Sequence, residues 1–167
     1  MPNNTLPGNE FPDIYPPGHI RILGAGRFGR MAAERLRRRF PDAFLLVTDK
    51  DPERIDRVRK ELGIEGEVEE SIRSITRFAL SPETWLVPAV PVHVVFEWLL
   101  HGLNLNARAH RIPVPEKVGS QVPNPIHVPS GTLYASFATT ICPDTCSEPP
   151  VLCTRSGKPR LGNLFEV

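Results

Sequence analysis

HIRILGAGRFGRMAAERL, residues 19–36, sets three glycines between a short apolar run and a segment of helical periodicity. His19 to Leu23 reads as a strand. Arg27 to Phe40 reads as a helix, because Phe28, Ala32 and Leu36 recur at helical spacing with Gly29 and Ala33 beside them. Arg30, Arg37 and Arg38 are expected to face outward, and Pro41 lies just past the helix end. The glycines between strand and helix, Gly24, Gly26 and Gly29, allow two readings. They form either a bare strand-to-helix turn or a turn that cradles phosphate, and the flanking sequence has to separate the two.

Working outward, the alternation continues. Ala43 to Thr48, AFLLVT, is apolar enough for a strand buried on both faces. Asp51 then reads as an N-cap with Pro52 at the first helical position and Glu53 in the first turn. Ile55, Val58 and Leu62 form the stripe of a second helix, which Gly63 closes. The Glu-rich piece from Gly63 to Ser74 fits neither period. Trp85 to Val90 reads as a further buried strand, followed by a helix from Val92 to Leu103. Strand–helix alternation of this kind predicts an α/β fold, a Rossmann-like parallel sheet flanked by helices.

That context favours the phosphate cradle. In a dinucleotide site Gly24 permits the sharp turn, Gly26 lets the backbone approach the pyrophosphate, and Gly29 allows close helix–strand packing. The helix N-terminus supplies amides and a favourable dipole for phosphate charge. Asp49 follows twenty residues after Gly29, at the end of the second strand. A carboxylate there can accept hydrogen bonds from the adenosine ribose and would repel a 2′-phosphate, which predicts NAD(H) over NADP(H).

GAGRFGRMAAERL followed by LLVTDKDPERIDRVRKELG resembles the nucleotide-binding domain of potassium-uptake and potassium-channel regulators, the TrkA-N or RCK type. That family carries a Gly-x-Gly-Arg-x-Gly turn and an Asp-x-Asp-Pro segment after its second strand. The matching positions here are Gly24, Gly26, Arg27, Gly29, Asp49, Asp51 and Pro52. The resemblance covers about residues 19–63 and implies dinucleotide binding, with Arg27 joining the glycines and Asp49 as cofactor-binding residues. Beyond Gly63 the family's Gly-Asp turn and acidic strand-four loop have no counterpart. WLVPAVPVHVVFEWLL stands in their place. In it His93 opens the last helix, either as a packed, hydrogen-bonded histidine or as a proton donor near the nicotinamide.

Composition bounds the rest. The 167 residues are 40% apolar and 23% charged, as in an ordinary globular domain with an appendage. A formal net charge of +1 gives no footprint for nucleic acid. Arg35, Arg37, Arg38 and Arg39 crowd one helix end and read as a solvated face, with Glu34 pairing to Arg38. The first eighteen residues lack the basic and apolar regions of a secretory signal and read as a flexible tail. The most apolar stretch, Trp85 to Leu103, is broken by Pro88, Pro91, His93, Glu97 and His101, which argues against a membrane span. A cytoplasmic protein is expected. Nine of the nineteen prolines fall between Pro113 and Pro159, so the α/β domain is expected over 19–110 and an irregular, Pro-rich, Cys-containing region over 111–167.

All three cysteines, Cys142, Cys146 and Cys153, lie within twelve residues in ICPDTCSEPPVLC. Soft thiolates on a proline-held loop suit zinc or an iron–sulfur cluster, with His127, Asp144 or Glu148 as sources of a fourth ligand. Redox-active thiols, or no role, stay open beside that reading. The following segment TRSGKPR reads as a basic turn.

Three functions fit this sequence. The first is an NAD(H)-binding module with a sensing or regulatory role, coupled to a cysteine-ligated metal. The second is a small NAD-dependent oxidoreductase with His93 as its catalytic residue. The third is an interaction protein with a vestigial nucleotide site. The Tyr-x-x-x-Lys pair of short-chain dehydrogenases is missing, since Tyr134 is followed four positions on by Ala138 and Tyr15 by His19. Four or five strands are few for a doubly wound sheet, which leaves a homodimer or a larger partner protein as ways of completing it.

Overall fold

The computed structural model describes residues 16–77, 81–104, 109–146 and 149–162. The chain divides after Ala109 into two compact units. Most of the expected N-terminal tail, residues 1–15, lies outside the described residues.

The first unit is α/β, a four-stranded parallel sheet flanked by helices. Its elements run β1 (His19–Leu23), α1 (Arg27–Arg39), β2 (Phe44–Asp49), α2 (Pro52–Leu62), β3 (Glu65–Val68), α3 (Ser71–Thr76), β4 (Thr84–Pro88) and α4 (Val94–Asn104). The strand order is β3-β2-β1-β4. β1 therefore lies between β2 and β4, with Leu23 level with Thr48 on one side and Pro88 on the other.

Side-chain alternation along the strands builds two cores. Ile20, Ile22, Leu45 and Val47 pack with Ala33, Ile55 and Val58, joining the sheet to α1 and α2. Leu23 packs instead with Ile72 and Ile75 of α3, and with the partly buried Leu86 and Val94. Helices thus cover both faces, the doubly wound arrangement in which the order of connections reverses beside β1.

The α1 stripe differs from its expected position. Gly29 and Ala33 are its buried residues, whereas Phe28 is 58% exposed. Close packing of the helix against the sheet through its smallest residues turns the neighbouring position outward. The Arg27 guanidinium lies 5.9 Å from the centroid of the Phe28 ring. Arg37, expected outward, is half-buried.

α2 starts and stops as its sequence dictates. Asp51 Oδ1 accepts N–H bonds from Glu53 at 3.0 Å and Arg54 at 3.4 Å, and Gly63 closes the helix at φ 61°. Asp51→Ala is expected to cost about 1 kcal/mol, the usual worth of such a cap. Asp51→Asn should cost clearly less, and urea unfolding of both variants checks the difference.

In the second unit the described residues hold a 3₁₀ helix (Glu116–Gln121) and a short antiparallel pair, β5 (Ile126–His127) with β6 (Leu133–Tyr134). Near the C-terminal end Leu152 and Pro159 form an antiparallel bridge around a tight turn.

Candidate functional site

The glycine turn leaves the C-terminal end of β1, at the point where the neighbouring connections run to opposite sides. The Gly24 N–H donates to the Thr48 carbonyl at 2.7 Å, and the Ala89 N–H donates to the Leu23 carbonyl at 2.8 Å. The backbone after β1 is thereby pinned from both flanking strands.

The three glycines have different reasons to be glycine. Gly24 has φ +102°, and a Cβ on it would lie 2.8 Å from the Ala89 carbonyl oxygen. A Cβ on Gly29 would lie 1.8 Å from the Gly24 carbonyl oxygen. Both positions are fixed by the fold itself. Gly26 is not. Its φ of −70° suits any residue, and a Cβ there would meet only Arg54 Nη1, at 3.8 Å.

Gly26 is also the N-cap of α1, and no side chain caps that helix, in contrast to Asp51 on α2. Gly26 thus offers no side chain to cap the start of α1, where Ser, Thr, Asp or Asn usually stands. From Gly26 a hollow of about 490 Å³ opens between the starts of α1 and α2, within the size range of small-molecule sites. Arg27, Arg30, Arg54 and Arg57 line it, with Glu34 the one acidic residue on its wall. Arg30 is paired with Glu61, and Arg54 lies 3.7 Å from Asp49 Oδ2 and 3.2 Å from Asp51 Oδ2. Carboxylates thus hold Arg30 and Arg54 in place on the wall of the hollow.

Asp49 ends β2 where the spacing placed it, but it also does something the spacing did not suggest. Asp49 is 7% exposed, and its carboxylate grips the turn, with Oδ2 accepting the Ala25 N–H at 2.7 Å. Oδ1 accepts the Asp51 N–H at 3.0 Å. One side chain therefore ties the end of β2 to the glycine turn and to the start of α2.

His93 stands just before α4, exposed, and its carbonyl accepts the Glu97 N–H at 2.9 Å. It is a helix-start residue whose backbone begins α4.

In the second unit Cys142, Cys146 and Cys153 all line one hollow of about 480 Å³. All three are free thiols. Among the described residues no group of three His, Cys, Asp or Glu side chains is placed to hold a metal ion. Of the fourth ligands considered above, Glu148 lies outside the described residues. Cys153 begins the expected basic turn. Its N–H donates to the Lys158 carbonyl at 2.9 Å, and the Gly157 N–H donates back to the Cys153 carbonyl at 2.8 Å. Its sulfur accepts the Ser156 N–H at 3.4 Å. The Cys153 thiol is held below its ordinary pKa, first by the Ser156 side chain, then by the backbone of Ser156 and Arg155, with Arg160 adding a little.

With this geometry in place, comparison with known proteins speaks to the C-terminal part. Residues 95–167 match a family model described as "Uncharacterized protein, C-terminal domain". The match begins inside α4 and takes in the second unit. No curated protein and no solved structure matches the chain. Among the described residues no helix is long and apolar enough to cross a membrane.

Proposed function

We propose that the first unit is an NAD(H)-binding module with a sensing or regulatory role in the cytoplasm. The observation that carries this reading is Gly26. Neither backbone conformation nor packing asks for glycine there, so the missing side chain is explained by a ligand that approaches the backbone closely. The uncapped start of α1, the four arginines around the hollow and the resemblance of residues 19–63 to TrkA-N and RCK domains support the same reading.

Gly24, Gly26 and Gly29 would form the pyrophosphate turn, Arg27 would add positive charge, and Asp49 would take the adenosine ribose. A module is favoured over an oxidoreductase because His93 is an exposed helix-start residue and no Tyr-x-x-x-Lys pair is present. Isothermal titration of the full chain with NAD⁺, NADH, NADP⁺ and NADPH tests the proposal. Saturable heat is expected with NAD⁺ or NADH and weaker binding with the 2′-phosphorylated forms, which Asp49 repels. No heat with any of the four would sink it.

A further inference from the structure

The second unit carries a feature that the dinucleotide reading does not use: three thiols around one hollow, with one sulfur held by a turn. Val151 to Arg160 forms a closed hairpin, in which the Arg160 N–H donates to the Val151 carbonyl at 3.0 Å. Cys153 begins the turn at its tip, and its sulfur receives the Ser156 N–H. Lys158 and Arg160 line the same hollow. A sulfur that accepts N–H donation beside cationic side chains is stabilised as thiolate, the form that attacks electrophiles.

Thr154, the next residue along, has its hydroxyl 3.6 Å from the Cys146 sulfur. That contact brings Cys146 beside the Cys153 turn. Cys142 is exposed. The walls are otherwise largely apolar, with Phe137, Pro149, Pro159 and Leu161 among them. Such a hollow admits a small uncharged oxidant.

We propose that Cys153 is a hydroperoxide-reactive thiol and Cys146 its resolving partner, the two closing into a reversible disulfide. The Cys153 thiolate attacks one peroxide oxygen, the O–O bond breaks, and the departing hydroxide takes a proton from solvent. Cys153 is left as a sulfenic acid. The Cys146 thiolate then attacks that sulfur. The S–O bond breaks, the leaving hydroxide takes up the proton Cys146 has shed, and a disulfide and water result. Overall two thiols and one hydrogen peroxide give one disulfide and two waters. A dithiol reductant restores both thiols by exchange.

The test uses the full chain, reduced, freed of reductant without oxygen, and given one equivalent of hydrogen peroxide. Free thiols should fall from three to one. Chymotrypsin cleavage after Leu152, with Asp-N cleavage before Asp144, separates the three cysteines. Mass spectrometry should then find Cys146 linked to Cys153. Cys146→Ser should stop at a dimedone-reactive sulfenic acid on Cys153. Cys142→Ser should behave as the parent protein, and Cys153→Ser should lose the fast reaction. The parent should react about tenfold faster or more than an unstructured peptide of the same segment. Equal rates, a linkage through Cys142, or one equivalent of zinc shielding all three thiols from peroxide would each overturn the proposal.

Discussion

Gly29→Ala should destabilise the first unit by about 3 kcal/mol or more, the upper part of the range for forcing an atom into a packed site. The added methyl would lie 1.8 Å from the Gly24 carbonyl oxygen and 2.8 Å from its carbon. Those are backbone atoms, so no rotamer change relieves the contact. Relief requires α1 to lift from the end of β1, which would loosen Ala33 from Ile20 and Ile22. For a unit of this size the loss corresponds to a fall in Tm of roughly 10–20 °C. Calorimetric scanning checks it, and near-parental stability would show that the turn yields where the geometry says it cannot.

Gly26→Ala should have the opposite profile. Its methyl meets nothing nearer than Arg54 Nη1 at 3.8 Å, and replacing glycine at an ordinary φ restricts the unfolded chain slightly. Thermal stability is expected to stay within about 0.5 kcal/mol of the parent. Dinucleotide affinity should fall about 100-fold, equivalent to ~2.7 kcal/mol, because the methyl occupies the closest approach of the pyrophosphate. Scanning calorimetry and nucleotide titration on the same preparation read the two effects separately. If Gly26→Ala binds as the parent does, the glycine has no ligand behind it and the dinucleotide reading fails. Gly26 and Gly29 stand three positions apart, and the pair of substitutions distinguishes a glycine kept for folding from one kept for binding.

The parts of the fold that were legible in the sequence are those where one period dominates. β1, β2 and α2 each carry a clean apolar pattern, α1 shows a helical period although its buried face is Gly29 and Ala33 rather than Phe28, and the observed boundaries differ from the expected ones by a residue or so. β4 and α4 were legible as elements, but β4 runs Thr84–Pro88 and is only half-buried where a buried strand to Val90 is expected, and α4 begins at Val94 rather than Val92. The Glu-rich piece was not. β3 is the edge strand Glu65–Val68, and only Gly66 within it is buried, so it shows no apolar alternation. α3 is six residues long and buries two serines with its isoleucines. Ser74 meets its own hydrogen-bonding need by donating to the Ser71 carbonyl at 2.8 Å. A helix that satisfies its polar residues internally looks polar in sequence while sitting in a core.

The site shows the same division. Spacing alone placed Gly24, Gly26, Gly29 and Asp49 at one end of the sheet. It did not distinguish Gly26 from its neighbours, because that distinction depends on which atoms surround each missing Cβ. Nor did it reveal that Asp49 accepts the Ala25 N–H, a contact between residues on different strands' ends. Three cysteines in a short proline-rich segment suggested a metal site. Geometry adds what spacing lacks, the Ser156 N–H on the Cys153 sulfur and the approach of Cys146 to Thr154.

The position of β1 between β2 and β4 also governs when this unit can become whole. His19 pairs with Phe44 on one side and with Thr84 on the other. During synthesis the first helix crossover can dock as soon as β2 emerges. The opposite edge of β1 then waits until Thr84–Pro88 leaves the ribosome. Until then Ile20 and Ile22 belong to a strand with one row of backbone donors and acceptors bare, the kind of edge that pairs with other chains. Long-range parallel pairing is slow to form, so the nascent chain is most vulnerable to misassembly between the appearance of β2 and that of β4. A chain ending at Thr76 would be held permanently in that condition.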